Sequence, residues 1–497
     1  MDSITGTMTI GAPVASSGNM VMNSPGTMAI TGPVTFGGLD GNGNALGYLI
    51  AHQGTINVTN GSLTNMSEID LGDTPGYSAT LAVSSGIVAV PWLNGNTYAI
   101  VGVGINGGTG VVNMTGNSLL DITANSTSES NQGQGNCISI GAGTDGSGHP
   151  SVGIVTVAGT SILRAGDGTG GYGGNFLTVG ESGGGGTLTI SGSGVVQADN
   201  FYLGSQEASN YFGSVNNNTS GGTGTLNLNG GTLSVPFVVN DQGTKGTINF
   251  NGGTLQALGS NYIYSNNGGT LTAYAQAGGA VIDTNGYSFY FETALLHDPA
   301  LGATQDGGLT KLGNGLLHLY NTNAYTGALT ASTYTGPTTV SAGTLEAQSA
   351  ASLPGYNTPG LVTVAPGATL EVQAGGTVGW TGNQTSSLLA NAHWGSGAAF
   401  CIETSMGNAS YGSSLPLPSG MALTKLGYNN LILAAANTYT GATIVATGGL
   451  VAASTASLPG YRITARQTPS ASPPAPSSEC SWAMVRPVGA TAKSPPC

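Results

Sequence analysis

The chain has 497 residues, 86 of them glycine and only 6% charged, and its 21 acidic against 8 basic residues give a formal charge of −13. Residues 1 to 461 hold 20 carboxylates and 4 cations, a net −16 that excludes a nucleic-acid partner by repulsion. The glycine content excludes an ordinary globular mixture, while short alternating runs of Val, Ile, Leu and Thr argue against a disordered chain.

Residues 1–50 are expected to form strands or a cap. The opening "MDSITGTMTIG" has no basic n-region or apolar h-region, so no signal peptide is read there. No stretch of the chain reaches the roughly 18 to 20 unbroken apolar residues of a membrane helix. "LDGNGN" (Leu39 to Asn44) sets oxygen donors among glycines but lacks the glycine and distal Glu of an EF-hand loop, and an Asx-rich turn is expected.

Over residues 51–300 a fixed grammar recurs. A short hydrophobic strand ends at glycine in "IDLG" (Gly72), "IVGVG" (Gly104), "ISIG" (Gly141), "LTVG" (Gly180) and "FYLG" (Gly204), and a Gly/Asn/Ser loop and a Thr/Val/Leu strand follow each. Units so small cannot close a core alone, but stacked coils bury their alternating side chains and pair their backbones. The expectation is an all-β parallel β-helix (β-solenoid) with Gly/Asn-rich loops and short or missing helices. Leu188, Ile190, Leu226, Leu228, Ile248 and Phe250 alternate with Thr and Asn, so all six should point inward.

Chemistry-bearing residues in this part are sparse. In "SEIDLGD", period-two alternation puts Glu68 and Asp70 on one face beside Asp73. Two readings stay open: a carboxylate pair of a polysaccharide lyase or hydrolase, or an exposed acidic strand edge that discourages sheet association. Arg164, Lys245, Lys311 and Lys425 are the only cations before residue 462, which weakens the lyase reading. "GTDGSG" (Gly143 to Gly148) fits only part of a calcium nonapeptide and is expected to be another Asx-rich turn. His52, His149, His297, His318 and His393 stand singly, without metal spacing. Cys137 and Cys401 lie too far apart along a solenoid to bridge. No catalytic, cofactor or metal site is assigned, and no cofactor is expected.

Residues 301–461 contain two related lines, "LTKLGNGLLHLYNTNAYTG" from Leu309 and "LTKLGYNNLILAAANTYTG" from Leu423. With their continuations they resemble the autotransporter-associated β-strand repeat, also called the passenger-associated transport repeat, at 309–347 and 423–452. The first copy matches at Leu309, Thr310, Lys311, Gly313, Gly315, Leu317, Leu319, Tyr325, Thr326, Gly327, Thr339, Val340, Gly343, Thr344 and Leu345. It carries a nine-residue insertion, marked by a second Tyr-Thr-Gly at Tyr334, which suits a surface loop. The second copy places Asn429-Asn430 where Gly-Thr is expected, which bears on its turn geometry.

The resemblance implies a right-handed parallel β-helix exported to the bacterial cell surface, ahead of a membrane barrel that lies elsewhere. It implies a structural, adhesive or display rod without enzymatic activity, with surface glycans or other cell-surface proteins as partners and no membrane insertion within this chain. The alternative is a carbohydrate-active β-helix enzyme. Lys311 and Lys425 follow Thr and precede a Leu-Gly corner, and both are expected to point outward as structural parts rather than reactive amines.

Residues 462–497 switch to Pro/Ser-rich sequence, and Arg462, Arg466, Arg486 and Lys493 against Glu479 reverse the charge. The expectation is a disordered tail that joins no ladder, read either as frameshifted coding sequence or as a genuine linker.

Overall fold

The structure is a computed structural model that describes residues 7–10, 14–16, 19–36, 47–90, 99–122, 136–166, 175–205, 221–241, 243–260, 262–265, 268–320, 329–459 and 484–487. "LDGNGN" and most of the tail lie outside these residues. The chain divides into two units, residues 1–315 with 321–336, and residues 316–320 with 337–497.

In the first unit each coil contributes three strands. Gly54–Thr59, Ser62–Thr64 and Glu68–Leu71 form one coil, and Ser78–Ser84, Ile87–Ala89 and Ile100–Ile105 form the next. They stack parallel and in register, Leu81 on Ile56, Val88 on Leu63 and Val101 on Ile69. The antiparallel hairpins of a β-sandwich are absent among the described strands; the one antiparallel pairing is an isolated bridge between Thr144 and Pro150. Coiling starts early, since Thr7–Ile10 already pairs with Thr27–Ile30, so the first fifty residues include strands of the same ladders.

The inward ladder is as expected. Leu188, Leu226 and Ile248 stack in register, as do Ile190, Leu228 and Phe250, and all six are fully buried. Each such side chain contributes about 1.5–3 kcal/mol of burial, largely offset by the entropy of ordering the coil. Register survives large insertions because they fall between strands. Leu226 meets Ile248, 22 residues on, whereas Val112 meets Val155, 43 residues on.

The recurring glycines are required by backbone contact. Gly72, Gly104, Gly141, Gly180 and Gly204 all take φ between 62° and 76°. A Cβ on Gly104 would lie 1.9 Å from the Val152 carbonyl oxygen, and one on Gly153 would lie 2.1 Å from the Gly141 nitrogen. Two columns of glycine therefore interlock along one corner, where a side chain fits neither conformation nor space.

In the second unit Leu316–Leu319, Thr344–Ala347, Thr369–Gln373, Ala399–Glu403 and Leu423–Leu426 pair in parallel, with Leu317, Leu345, Leu370, Phe400 and Leu423 buried in one ladder. Among its described residues one α-helix interrupts the strands, Gly382–Asn391, closed at its start by a reciprocal capping box between Thr381 and Gln384. The tail differs from expectation at one place: Met484–Pro487 runs parallel to Gly449–Ala452. Its proline lies on an edge strand, where a missing N–H is tolerated.

Candidate functional site

The repeat lysines are inside. Lys311 and Lys425 have no exposed surface, which corrects the expectation that they point outward. In "LTKL" the inward residues are Leu309 and Lys311, and in the second copy Leu423 and Lys425, so strand alternation itself turns the lysine toward the core. Lys311 extends the ladder above Ile282, and Lys425 the ladder above Ile402.

Each ammonium curls into the corner that follows its strand. Lys311 Nζ donates to the carbonyls of Leu312 (2.9 Å) and Gly313 (2.6 Å) and to the Thr284 hydroxyl (2.9 Å). Lys425 Nζ donates to the carbonyls of Leu426, Gly427 (2.8 Å) and Thr447 (3.1 Å). The layer beneath is also repeated. Asp283-Thr284 and Glu403-Thr404 lie under the two corners, and Thr284 and Thr404 donate their hydroxyls to the Leu312 and Leu426 carbonyls at 3.1 and 3.2 Å. Burial lowers the Lys311 pKa to about 8 against the opposing pull of Asp283, and lowers that of Lys425 against Glu403. Each ammonium is enclosed by the acceptors it satisfies. An amine so occupied is a corner fastener, not a nucleophile.

The Tyr-Thr-Gly element is a second fastener. In the second copy Tyr439 is buried, Thr440 Oγ1 accepts the Gly420 N–H (3.0 Å), and a Cβ on Gly441 would lie 1.9 Å from the Met421 carbonyl oxygen. In the first copy Tyr334-Thr335-Gly336 plays this part. Tyr334 is buried, and Thr335 and Gly336 donate their N–H groups to Asp306 at 2.8 Å each. The matched Tyr325-Thr326-Gly327 lies outside the described residues. Asn429 completes its turn by donating to the Thr404 carbonyl (2.8 Å) and accepting the Thr404 hydroxyl (2.8 Å).

The acidic cluster near Gly72 is brought together only in part. Glu68 and Asp70 share the outer side of their strand, but Asp70 is buried, which corrects the expectation of an exposed acidic edge. Burial, followed by Glu68 and Asp73, raises the Asp70 pKa to about 8, and its Oδ1 has no hydrogen-bond partner. A raised carboxyl suits a general acid. The residues beside Glu68 and Asp70 in the adjoining strands are Tyr48, Ile50, Ile100 and Gly102, with no cation among them, and the free oxygen is sealed from solvent. Asp73 is tied to His52 and accepts from Thr74 (3.1 Å).

His393 is exposed at the start of a short strand, while the other histidines and the cysteines are absorbed locally. In "GTDGSG", Asp145 accepts the backbone N–H groups of Ser147 (2.9 Å) and His149 (2.8 Å) and meets His149 Nδ1 at 2.7 Å, an Asx turn that uses both carboxylate oxygens. His297 meets Asp306 at 2.7 Å, its Nε2 faces the Gly302 carbonyl at 3.1 Å, and the Thr335 hydroxyl, 3.4 Å from its Nδ1, also donates to Asp306 at 3.0 Å. His318, Glu346, Glu371 and Cys401 occupy successive in-register places and all are buried. Glu346 is held by His318 and Gln373, whereas burial, Glu346 and Glu403 push Glu371 up to about 8. Burial and Glu371 push the Cys401 thiol up to about 12. Cys137 and Cys401 are free thiols, and among the described residues no group of three or more His, Cys, Asp or Glu side chains is placed to hold a metal. Glu346 and Glu371 escaped the sequence reading because their neighbours come from adjoining coils, as do the Thr335 and Gly336 groups that Asp306 accepts.

A family profile described as Passenger-associated-transport-repeat matches residues 309–332, 328–347 and 423–452. The first two matches overlap at 328–332, between the two Tyr-Thr-Gly elements of the first copy. No curated protein and no solved structure matches the chain.

Proposed function

We propose that this chain, a parallel β-helix carrying autotransporter passenger repeats, serves as an exported, cell-surface display and adhesion region without catalytic activity. Surface glycans or cell-surface proteins are its partners, and a membrane barrel supplied elsewhere exports it. The observation that supports this most is the fate of the repeat lysines. The two copies spend their shared Lys on corner carbonyls and their Tyr-Thr-Gly on the neighbouring coil, which is what a building unit requires. Among the described residues no helix is long and apolar enough to cross a membrane.

Two measurements test the reading. Antibody labelling and protease shaving of intact producing cells should find the chain outside; signal seen only after lysis would overturn the location. Incubation with pectin, polygalacturonate, alginate and xylan, with and without calcium, should release no reducing or unsaturated ends. Release that disappears in Asp70→Ala would instead establish the carbohydrate-active alternative.

A further inference from the structure

The outer side of the third sheet of the first unit carries a run of aromatic rings that the corner chemistry does not use. Phe176, Tyr202, Phe237, Tyr262, Tyr264 and Tyr290 come from five successive coils, and all remain partly or largely exposed. Their inward neighbours Leu177, Phe201, Val238, Ile263 and Phe289 fill the core, so alternation fixes these rings on the outer face. Ring centroids are 6.1 Å apart for Phe176 and Tyr202, 6.2 Å for Tyr202 and Phe237, 6.0 Å for Tyr262 and Tyr264, and 4.8 Å for the stacked Tyr262 and Tyr290. Tyr262 is 40% exposed at the centre of the second group.

We propose that this axial stripe of rings is a binding platform for an extended, uncharged β-linked polysaccharide laid along the coil axis, with its sugars packed against the outward parts of the rings. The proposal rests on the display-and-adhesion reading and names the class of ligand. Coils follow one another at the ~4.8 Å strand spacing, close to the length of one hexose in an extended chain, so ring and sugar keep step. The apolar C–H face of a pyranose suits an aromatic surface. Tyrosine also keeps a polar edge for sugar hydroxyls.

Charge selects the uncharged class. Tyr262 pairs with Tyr290, which sets Glu292 beside Tyr264 at the end of the stripe, and Glu292 is only partly buried. A carboxylate there accepts from sugar hydroxyls and repels uronic acids and sulfates. The one lysine or arginine between residues 175 and 292 is Lys245, in a strand of another sheet. An anionic chain therefore has no counter-charge along the rings.

The test uses the full chain in titration calorimetry with cellohexaose, xylohexaose and mannohexaose, and with polygalacturonate as the anionic comparison. At least one neutral hexamer should bind more tightly than its trimer, and polygalacturonate should not bind. Tyr262→Ala and Tyr290→Ala should each weaken binding about five- to tenfold, Tyr262→Phe should retain it, and Tyr428→Ala, 85% exposed in the second unit, should leave it unchanged. If Tyr262→Ala unfolds, Tyr262→Ser and the Tyr290 variant carry the comparison, with circular dichroism as the fold check. Absence of binding to all three neutral hexamers, preference for polygalacturonate, or indifference to both ring removals overturns the proposal. The two readings fail separately: cleavage of a bound hexamer would remove the non-enzymatic reading and leave the stripe, whereas surface display without glycan binding would remove the stripe alone.

Discussion

Lys311 Nζ lies 2.9 Å from the hydroxyl of Thr284, a residue one coil earlier whose own hydroxyl caps the Leu312 carbonyl. The lysine thus reaches back to the coil beneath while satisfying carbonyls in its own corner. A buried cation is costly unless each donor is matched, and here carbonyl and hydroxyl oxygens take them.

Replacing the amine by an apolar chain of similar length should take the ammonium donor from the Gly313 carbonyl, and in the second copy from the Gly427 and Thr447 carbonyls, while the Leu312 and Leu426 carbonyls keep the Thr284 and Thr404 hydroxyls. Lys311→Met and Lys425→Met are each expected to destabilise their unit by about 2–4 kcal/mol. Arginine, too long and planar for the corner, should not rescue them. Urea unfolding followed by limited proteolysis checks this; unchanged midpoints in both Met variants would show that the lysines are not fasteners.

Gly104→Ala should be among the most damaging single-methyl changes in the first unit. It imposes a positive φ on alanine and drives its Cβ into the Val152 carbonyl, so a loss above about 3 kcal/mol is expected. Gly146→Ala meets nothing within 4 Å and should change stability by less than about 0.5 kcal/mol. Thermal unfolding of the pair reads the difference, and equal midpoints would contradict the interlocked corner.

The coiling was legible because two local signals agreed: period-two alternation at Leu188, Ile190, Leu226 and Leu228, and a glycine at the end of five third strands, Gly72, Gly104, Gly141, Gly180 and Gly204. The place of the lysine after Thr and before a Leu-Gly corner argued for the outer side, although the same period puts Lys311 on the face of Leu309. What the corner offers a buried amine is visible only once its carbonyls have positions. The helix left a signal in Thr381-x-x-Gln384, the spacing of a capping box, that its glycine and polar neighbours obscured. Pairs such as His52 with Asp73, or His318 with Glu346, join residues more than 20 positions apart. Loop lengths set which residues meet across coils, and those lengths vary too widely for sequence spacing to reveal the contacts.

The two free thiols are expected to be inert while folded. Cys137 is fully buried with its pKa pushed up by burial and then Glu181, and Cys401 is pushed to about 12, so neither supplies thiolate at neutral pH. Iodoacetamide at pH 7.5 should label Cys137 and Cys401 at least tenfold more slowly in native protein than in 6 M guanidinium, as read by peptide mass spectrometry. Rapid native labelling of either would show that its coil opens readily.

The buried acids set the direction of the pH dependence. Glu371 is raised from 4.5 to about 8, by burial first and then by Glu346 and Glu403, and Asp70 from 3.8 to about 8, by burial and then Glu68. In each case the folded chain holds a proton that the unfolded chain releases. The contribution to stability is therefore complete below the unfolded pKa, near pH 4, and is lost as pH rises through about 8. Lys311 has the opposite slope, but only between about 8 and 10.5, outside a scan from pH 5 to pH 8; His297, raised by its hydrogen bond to Asp306, declines in the same direction as the acids within that scan, so the Gln variant is what separates Glu371. Glu371→Gln, neutral at every pH, should flatten the second unit's share of this decline. Its unfolding midpoint is expected to exceed that of the parent by a few degrees at pH 8 and to match it near pH 4.5. Differential scanning calorimetry across the range decides it. A parent whose stability rises from pH 5 to pH 8, or a Gln variant that is less stable than the parent at pH 8, would mean that Glu371 is ionised and paired in the folded chain.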